Sequence, residues 1–532
     1  MKKEKTINQK VGLAALIMMA SIFLSRVIGL IREMTIAYIG GAGPDVDAYQ
    51  LAFMIPEILN HVAASGFLSI TFIPIFTHYL SDNNETEGWR IFSIIINTIG
   101  TVLVILIVLA SVFTYHLIYL LAPGITDIQT IDKAVCMTRI IIPAQFFFFA
   151  GGLLMAVQYA KEQFFIPALA PLIYNLGIII GGIALGQKFG MQGFSYGVLS
   201  GAFLGSFALQ VWGARGVGMQ YSLAFSIKHP DFKKYIRLTL PLMIGLTMLF
   251  STEICFKFFG SYLPSGNIAS LNYAFRVMFM LVGFFGQAVG VASFPFLSQL
   301  AARNDITRMN TLLNDTLKNY IALIIPFSVL IAVLRHEIIF ILFERGKFVS
   351  DDTQLAATLL MYLMIGAFAF AAQTVVVRGY YAMQNTLFPA IFSTLAVCIS
   401  IPMYIWGIKF MGVFGIALAM SVSAIVQIVL LYELWNRRTN NFECRHVYIF
   451  FMKVIAISIP IGVIVYGCRH LFTQWFPPVS LLYCMIGCVL TGIVFLIFFI
   501  IMGIFLNIQI IVDYVRFTKL TIKKLYNNYG PL

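Results

Sequence analysis

The sequence predicts an all-α polytopic membrane protein with about fourteen transmembrane helices, arranged as two six-helix lobes in parallel pseudo-repeat plus two C-terminal helices. Three observations carry this. Of 532 residues, 60% are hydrophobic and 11% charged, against about 25% charged in an ordinary soluble chain. Apolar runs such as "IFSIIINTIGTVLVILIVLASVF" exceed the roughly 20 residues that cross the hydrocarbon, and they are too long and unbroken for barrel strands. The third observation is an internal repeat.

Charged and Pro/Gly/Asn punctuation between the apolar runs sets the helices. They fall near 12–40, 48–80, 91–121, 131–159, 165–187, 192–214, 235–260, 268–300, 312–343, 354–383, 387–409, 413–436, 447–471 and 479–507. The start, "MKKEKTINQK" and an apolar run, imitates a signal peptide; the run continues without a small-residue cleavage site and reads as an uncleaved first helix. "GGAGPDVDAY" is a sharp turn between the first two helices, with Asp45 and Asp47 at its outer end. Lys228, Lys233, Lys234, Arg303, Arg308, Arg437, Arg438 and Arg445 share one side with Lys519, Lys523 and Lys524 of the tail. The opposite side is poor in Lys and Arg, so the positive-inside rule puts both termini in the cytoplasm.

"QYAKEQFFIPALA" at 158–170 and "YYAMQNTLFPAIF" at 380–392 share Tyr, Ala, Pro and Ala at an offset of 222, which also maps Gly190 and Gly193 onto Gly412 and Gly415. The offset spans six helices, an even number, so the copies run the same way through the membrane. The expected organisation is an N-lobe over 1–222, a C-lobe over 223–440, a two-helix segment at 441–507 and a basic cytoplasmic tail at 508–532.

The net charge of +13 is scattered through short loops and the tail, which argues for orientation and against nucleic acid as a partner. Seven cysteines show no CxxC pair or ligand spacing and read as apolar packers. "RHEIIF" lacks the second histidine of a zinc helix, "GGAGPDVD" lacks the strand and lysine of a phosphate loop, and no G-x-S-x-G occurs. No enzyme chemistry, cofactor or metal is expected.

The candidate site begins in "SRVIGLIREM", where Arg26, Arg32 and Glu33 interrupt the first apolar helix. Each such charge costs roughly 2.5 to 3.5 kcal/mol at the bilayer centre, so it must face a partner or a water-filled cavity. At about 100° per residue Arg26 and Glu33 lie nearly in line, whereas Arg32 is displaced by about 120°. One cation paired to the carboxylate and another left for an anion is the arrangement this suggests. Glu57, Asn60, His61 and Ser65 follow at i, i+3, i+4 and i+8, a single polar face of the second helix. Glu253 and Lys257 form an i,i+4 pair expected to neutralise itself, and Arg276 in "LNYAFRVMFML" has no obvious carboxylate nearby. Two parallel lobes predict a central, net-positive cavity near the midplane, faced by Arg26, Arg32, His61 and Arg276.

In order, "SRVIGLIRE", "GAGPDVDAYQLAFMIPEIL", "ASGFLSITFIPIF", "PALAPLIYNLGIII", "LNYAFR", "LFERGKFVSDDT" and "YYAMQNTLFPA" resemble the signature stretches of the MurJ (MviN) lipid II flippases of the multidrug/oligosaccharidyl-lipid/polysaccharide exporter superfamily. The resemblance implies movement of an undecaprenyl-diphosphate-linked peptidoglycan precursor from the cytoplasmic to the outer leaflet of the bacterial inner membrane, with the lipid tail along the last two helices. Its implied partners are that precursor, membrane lipids and proteins of cell-wall synthesis or division. The family's arginines fall on Arg26, Arg32 and Arg276 and its first-loop acid on Asp47, with Glu33 and Glu57 as supporting or gating residues. The sequence departs from the pattern at Asn60 and His61, where the family has an arginine pair, at Ser65, in place of a glutamate, and at Phe275, in place of Asp or Asn. Phe256 stands where a sodium-binding acid is found in some members, so the resemblance carries no sodium site over. The expected substrate-binding set is Arg26, Arg32 and Arg276, which the resemblance implies, together with Asn60, His61 and Ser65 of the polar face. A flippase for another polyprenyl-diphosphate glycan is the alternative, ahead of a cation-coupled drug exporter, whose cavity would be acidic or aromatic.

Overall fold

The computed structural model describes residues 7–61, 67–245, 247–383, 385, 387–475 and 480–505. The basic tail and Ser65 lie outside these residues. Every ordered element among them is helical, and all fourteen expected segments contain helix. Ten helices are long and apolar enough to cross a membrane, or eleven if Ser350–Met364 and Ala367–Ala382, bent by 46°, form one span; both counts are of the described residues.

Several expected spans are broken, and the sequence supplies the reason. The second divides at Phe53 into Pro44–Ala52 and Met54–Leu59, and its described part resumes with Phe67–Ser81. Pro56 has no N–H to return to Ala52, so the first break falls one turn before it. Pro143 separates Ile128–Ile141 from Ala144–Ala160 in the same way, and Gly366 marks the bend before Ala367. Between Gln192–Gly201 and Leu209–Gly216, Ala202–Ala208 is a π-helical turn. There Gly151 of Ala144–Ala160 faces the turn so closely that a Cβ on it would lie 1.7 Å from the carbonyl oxygen of Ser206.

The repeat is visible locally. Phe165–Phe189 and Gln192–Gly201 are joined through Gly190 at φ +55°, and Leu387–Met411 and Val413–Thr439 through Gly412 at φ +57°. Both turns use the left-handed backbone that glycine adopts without steric penalty. Gly193 and Gly415 then allow close helix approach: a Cβ on Gly415 would meet the Gly407 carbonyl oxygen at 1.9 Å.

By packing, the chain forms two compact units, each built from separated stretches. The first comprises Met1–Tyr273, Phe343–Asp352 and Thr386–Ile416. Its core includes the aromatic chain Phe72, Phe76, Trp89 and Phe92, with successive centroids 5.6, 5.1 and 5.7 Å apart. The second comprises Ala274–Leu342, Thr353–Asn385 and Ala417–Leu532. In it the last two helices, Cys444–Trp475 and Leu481–Phe505, seat Ile461, Val465, Phe495 and Phe499 against Ala322 and Val333 of Ile306–Val333. A partly buried ion pair, Arg469 Nε to Glu337 Oε1 at 2.6 Å, ties the first of these two helices to Arg335–Phe343.

Candidate substrate-binding site

The long helix Ile7–Gly40 carries the first charged cluster. Arg32 donates from Nη2 to Glu33 Oε1 at 2.6 Å and from Nη1 to Asn175 Oδ1 at 3.0 Å. Asn175, on Phe165–Phe189, donates in turn to Ser25 Oγ at 3.3 Å and to the Pro171 carbonyl at 2.9 Å. The carboxylate of Glu33 engages Arg32, its neighbour in sequence, where helical phase pointed to Arg26. The long guanidinium arm crosses the angular gap that phase alone leaves open. Two polar atoms of the cluster, Arg32 Nε and Glu33 Oε2, are buried with no hydrogen-bond partner among the described residues. Arg26 is half-buried on the same helix.

Glu57, Asn60 and His61 are half-buried at the end of Met54–Leu59 and the π-type turn after it. His61 Nδ1 lies 3.1 Å from the Glu57 carbonyl. A carbonyl only accepts, so Nδ1 carries the proton and the neutral ring keeps Nε2 as an acceptor. Lys257 is buried and donates to Glu57 Oε2 at 3.2 Å, with Glu253 Oε2 further off at 4.0 Å. The expected Glu253–Lys257 pair is present but not self-contained: Lys257 also reaches across to a second helix, closer to Glu57, and bridges two carboxylates. Phe256, beside it, is fully buried. Among the described residues no group of His, Cys, Asp and Glu has the arrangement of a metal site.

Asp47 lies in the first turn of the helix Pro44–Ala52, so the turn expected over "GGAGPDVDAY" ends at Gly43 and Asp47 is helical. Its carboxylate accepts from the backbone N–H groups of Gly266 at 2.5 Å and Ala269 at 2.7 Å, the start of Asn267–Val282. A helix N-terminus presents unpaired N–H groups and favours negative charge. Tyr273 Oη donates to the Gly41 carbonyl at 2.9 Å, tying the same two segments again.

Arg276 is half-buried on Asn267–Val282 and belongs to the second unit. Its neighbour Phe275 packs on Phe279, with centroids 4.5 Å apart, and on Phe370 at 6.1 Å. This aromatic packing occupies the place where the resemblance implies Asp or Asn. Sequence reasoning passed over two residues. Asn175, in "LIYNLGIII", is the acceptor that holds Arg32, and its signal was a lone amide in an apolar run. Arg378, in "VVVRGYY", is a half-buried arginine of Ala367–Ala382 whose Nη1 is buried with no hydrogen-bond partner among the described residues.

The family model described as "Lipid II flippase MurJ" matches residues 36–486. The chain belongs to the MurJ family. That makes it a transporter of the lipid II flippase class and not an enzyme, in the bacterial inner membrane. A probable lipid II flippase MurJ of Buchnera aphidicola is 27% identical over 422 residues, covering 77% of this chain and 80% of the relative. One from Haemophilus influenzae is 25% identical over 470 residues, covering 85% and 91%. A solved structure titled "Lipid II flippase MurJ, inward closed conformation" superposes with a TM-score of 0.76 at 26% identity, covering 93% of this chain and all of that one. An inward-facing multidrug transporter of the MATE family shares the fold at 12% identity and a TM-score of 0.65, covering 80% of this MurJ-family chain and 98% of its own.

Proposed function

We propose that this MurJ-family chain moves lipid II from the cytoplasmic to the outer leaflet by alternating access. The observation that carries this reading is the Arg32–Glu33–Asn175 cluster, a charged group held within an apolar helix pair with buried polar atoms still unfilled. Such charges in a membrane helix are costly and mark a substrate or ion path. Arg26, Arg32 and Arg276 attract the diphosphate, and Asn60, His61 and Ser65 supply hydrogen bonds to the headgroup. Glu33 and Glu57 hold the neighbouring cations in place, and Asp47 serves as a gating residue.

The full reading has fourteen spans, both termini in the cytoplasm, lobes over 1–222 and 223–440, and the polyprenyl tail along the helices of 441–507. Two negative charges moving outward across an inside-negative membrane gain about 2.3 kcal/mol each per 100 mV, so the potential suffices as a driving force. A second reading, a flippase for a different polyprenyl-diphosphate glycan, is favoured by Asn60 and His61 standing where the resemblance implies arginines.

The test is complementation of a strain depleted of its own lipid II flippase. The wild-type chain is expected to restore growth, and Arg32→Ala, present in the membrane at the same level, is not. A wild-type chain that accumulates yet leaves the cells lysing overturns the assignment, and rescue of a capsule-exporter mutant in its place supports the second reading.

A further inference from the structure

The connector between Leu209–Gly216 and Pro230–Gly245 is extended and lies against Glu85–Val112 within the first unit. Its attachment is specific. Asn97 Nδ2 donates to the carbonyls of Ser222 at 3.0 Å and Ala224 at 3.1 Å. The Tyr221 hydroxyl donates back to Asn97 Oδ1 at 2.7 Å, and the Ser222 N–H donates to Ser93 Oγ at 3.1 Å. Two helix side chains thus satisfy three backbone groups of the connector, the Ser222 N–H and the Ser222 and Ala224 carbonyls. In water such partners are dispensable, since solvent would supply them; in the membrane they replace solvent for the groups they reach.

The position along the helix fits the second environment. After Arg90 the sequence has no Lys, Arg, Asp or Glu until Asp127. Asn97 therefore lies about 10 Å into an apolar stretch at 1.5 Å per residue. Along the connector Tyr221, Leu223, Phe225 and Ile227 are 51, 81, 60 and 72% exposed; Ser222 is exposed as well, and Ala224 and Ser226 are half-buried. Three large apolar groups, Leu223, Phe225 and Ile227, exposed in close succession, have no reason to face water. Beside them runs an apolar groove of about 540 Å³, lined by Gly100, Val104, Phe146, Phe207, Leu223 and Phe225 among others. Immediately after the comb come Lys228, Lys233, Lys234 and Arg237, all exposed.

We propose that residues 219–229 are a membrane-embedded strap that binds anionic phospholipid of the adjacent leaflet: Leu223, Phe225 and Ile227 enter the acyl layer, the groove takes one acyl chain, and Lys228, Lys233 and Lys234 hold the headgroup phosphates. Clustered basic residues beside a membrane attract anionic lipid. On the topology proposed above the leaflet is the cytoplasmic one, but the strap's insertion does not depend on what substrate the protein carries.

Two measurements on the full-length chain in bilayer discs test this. Nitroxide labels at positions 223, 225 and 227, introduced on a cysteine-substituted background, are expected to collide with lipid-dissolved oxygen and to be shielded from a water-soluble nickel chelate. A label at Gly218, on the rim, is expected to show the reverse. Nickel-accessible labels at all three positions overturn the insertion. Independently, the unlabelled wild-type chain, extracted from discs of phosphatidylcholine with phosphatidylglycerol, is expected to retain phosphatidylglycerol several-fold over its share of the mixture. The triple variant Lys228→Ser, Lys233→Ser, Lys234→Ser is expected to lose that enrichment, and an unchanged enrichment overturns the headgroup assignment. Loss of lipid II transport with both results intact refutes the function proposed above and leaves the strap standing.

Discussion

A carboxylate buried beside a guanidinium changes what removing either one does. Arg32→Ala takes away the cation and leaves Glu33 charged and enclosed, so it is expected to cost about 3 to 5 kcal/mol of stability as well as transport. The double variant Arg32→Met, Glu33→Leu removes both charges and is expected to recover most of that stability while remaining inactive. Thermal unfolding in detergent, read beside transport in proteoliposomes, separates the two effects. Arg26→Ala and Arg276→Ala are expected to impair transport more than membrane insertion. His61 gives a different signature. If Nε2 faces the diphosphate it is an acceptor in the neutral ring and a donor in the protonated one, so transport is expected to rise as pH falls through the imidazole titration. His61→Arg should keep activity and flatten the profile; a wild-type profile in that variant assigns the titration to another group. The arginines, His61 and Glu57 were legible because ionisable residues stand out in apolar sequence. Their partners were not, because Asn175 and Lys257 meet Arg32 and Glu57 from distant stretches of chain, and helical phase says nothing about tertiary neighbours.

Helix breaks and close approaches belong to proline and glycine. Gly151 packs on the π turn at Ala202–Ala208, and its missing side chain leaves room for the Ser206 carbonyl. Gly151→Ala is expected to destabilise by about 1 to 3 kcal/mol, the range for overpacking, because the obstructing atom is backbone. Gly467, on Cys444–Trp475, has nothing within 4 Å of an added Cβ. Gly467→Ala is expected to be neutral or to stabilise by about 0.4 to 1 kcal/mol, and parallel melting curves of the two variants test the contrast. Sequence located these helices well, since length and apolar run fix them. It did not foresee the splitting of 48–80, although Pro56 was in view, because membrane helices often accommodate proline with a bend where neighbours re-satisfy the backbone. The π turn had no sequence signal beyond a glycine-rich stretch.

Transport by the whole molecule is expected to respond to voltage. In proteoliposomes an inside-negative potential should accelerate outward movement of lipid II, and collapse of the potential should slow it; a rate indifferent to potential removes the driving force proposed above. The recurrence of one local turn was legible, because the 222-residue offset pairs Gly190 with Gly412, where the chain needs the same left-handed turn twice. Which stretches pack together was not legible from that offset. The first unit takes in Phe343–Asp352 and Thr386–Ile416, far from its main body of Met1–Tyr273. That interleaving bears on how the molecule is made. A ribosome adding about 5 to 20 residues per second needs roughly 7 to 30 seconds to travel from Tyr273 to Ile416. Throughout that interval the nascent first unit is inserted but lacks its final helix, and the second unit is being threaded into the bilayer beside it. The newly made chain therefore waits, with apolar surfaces unfilled, for its own later segments, and an insertase or the surrounding lipid must shelter those surfaces until Thr386–Ile416 arrives to close them.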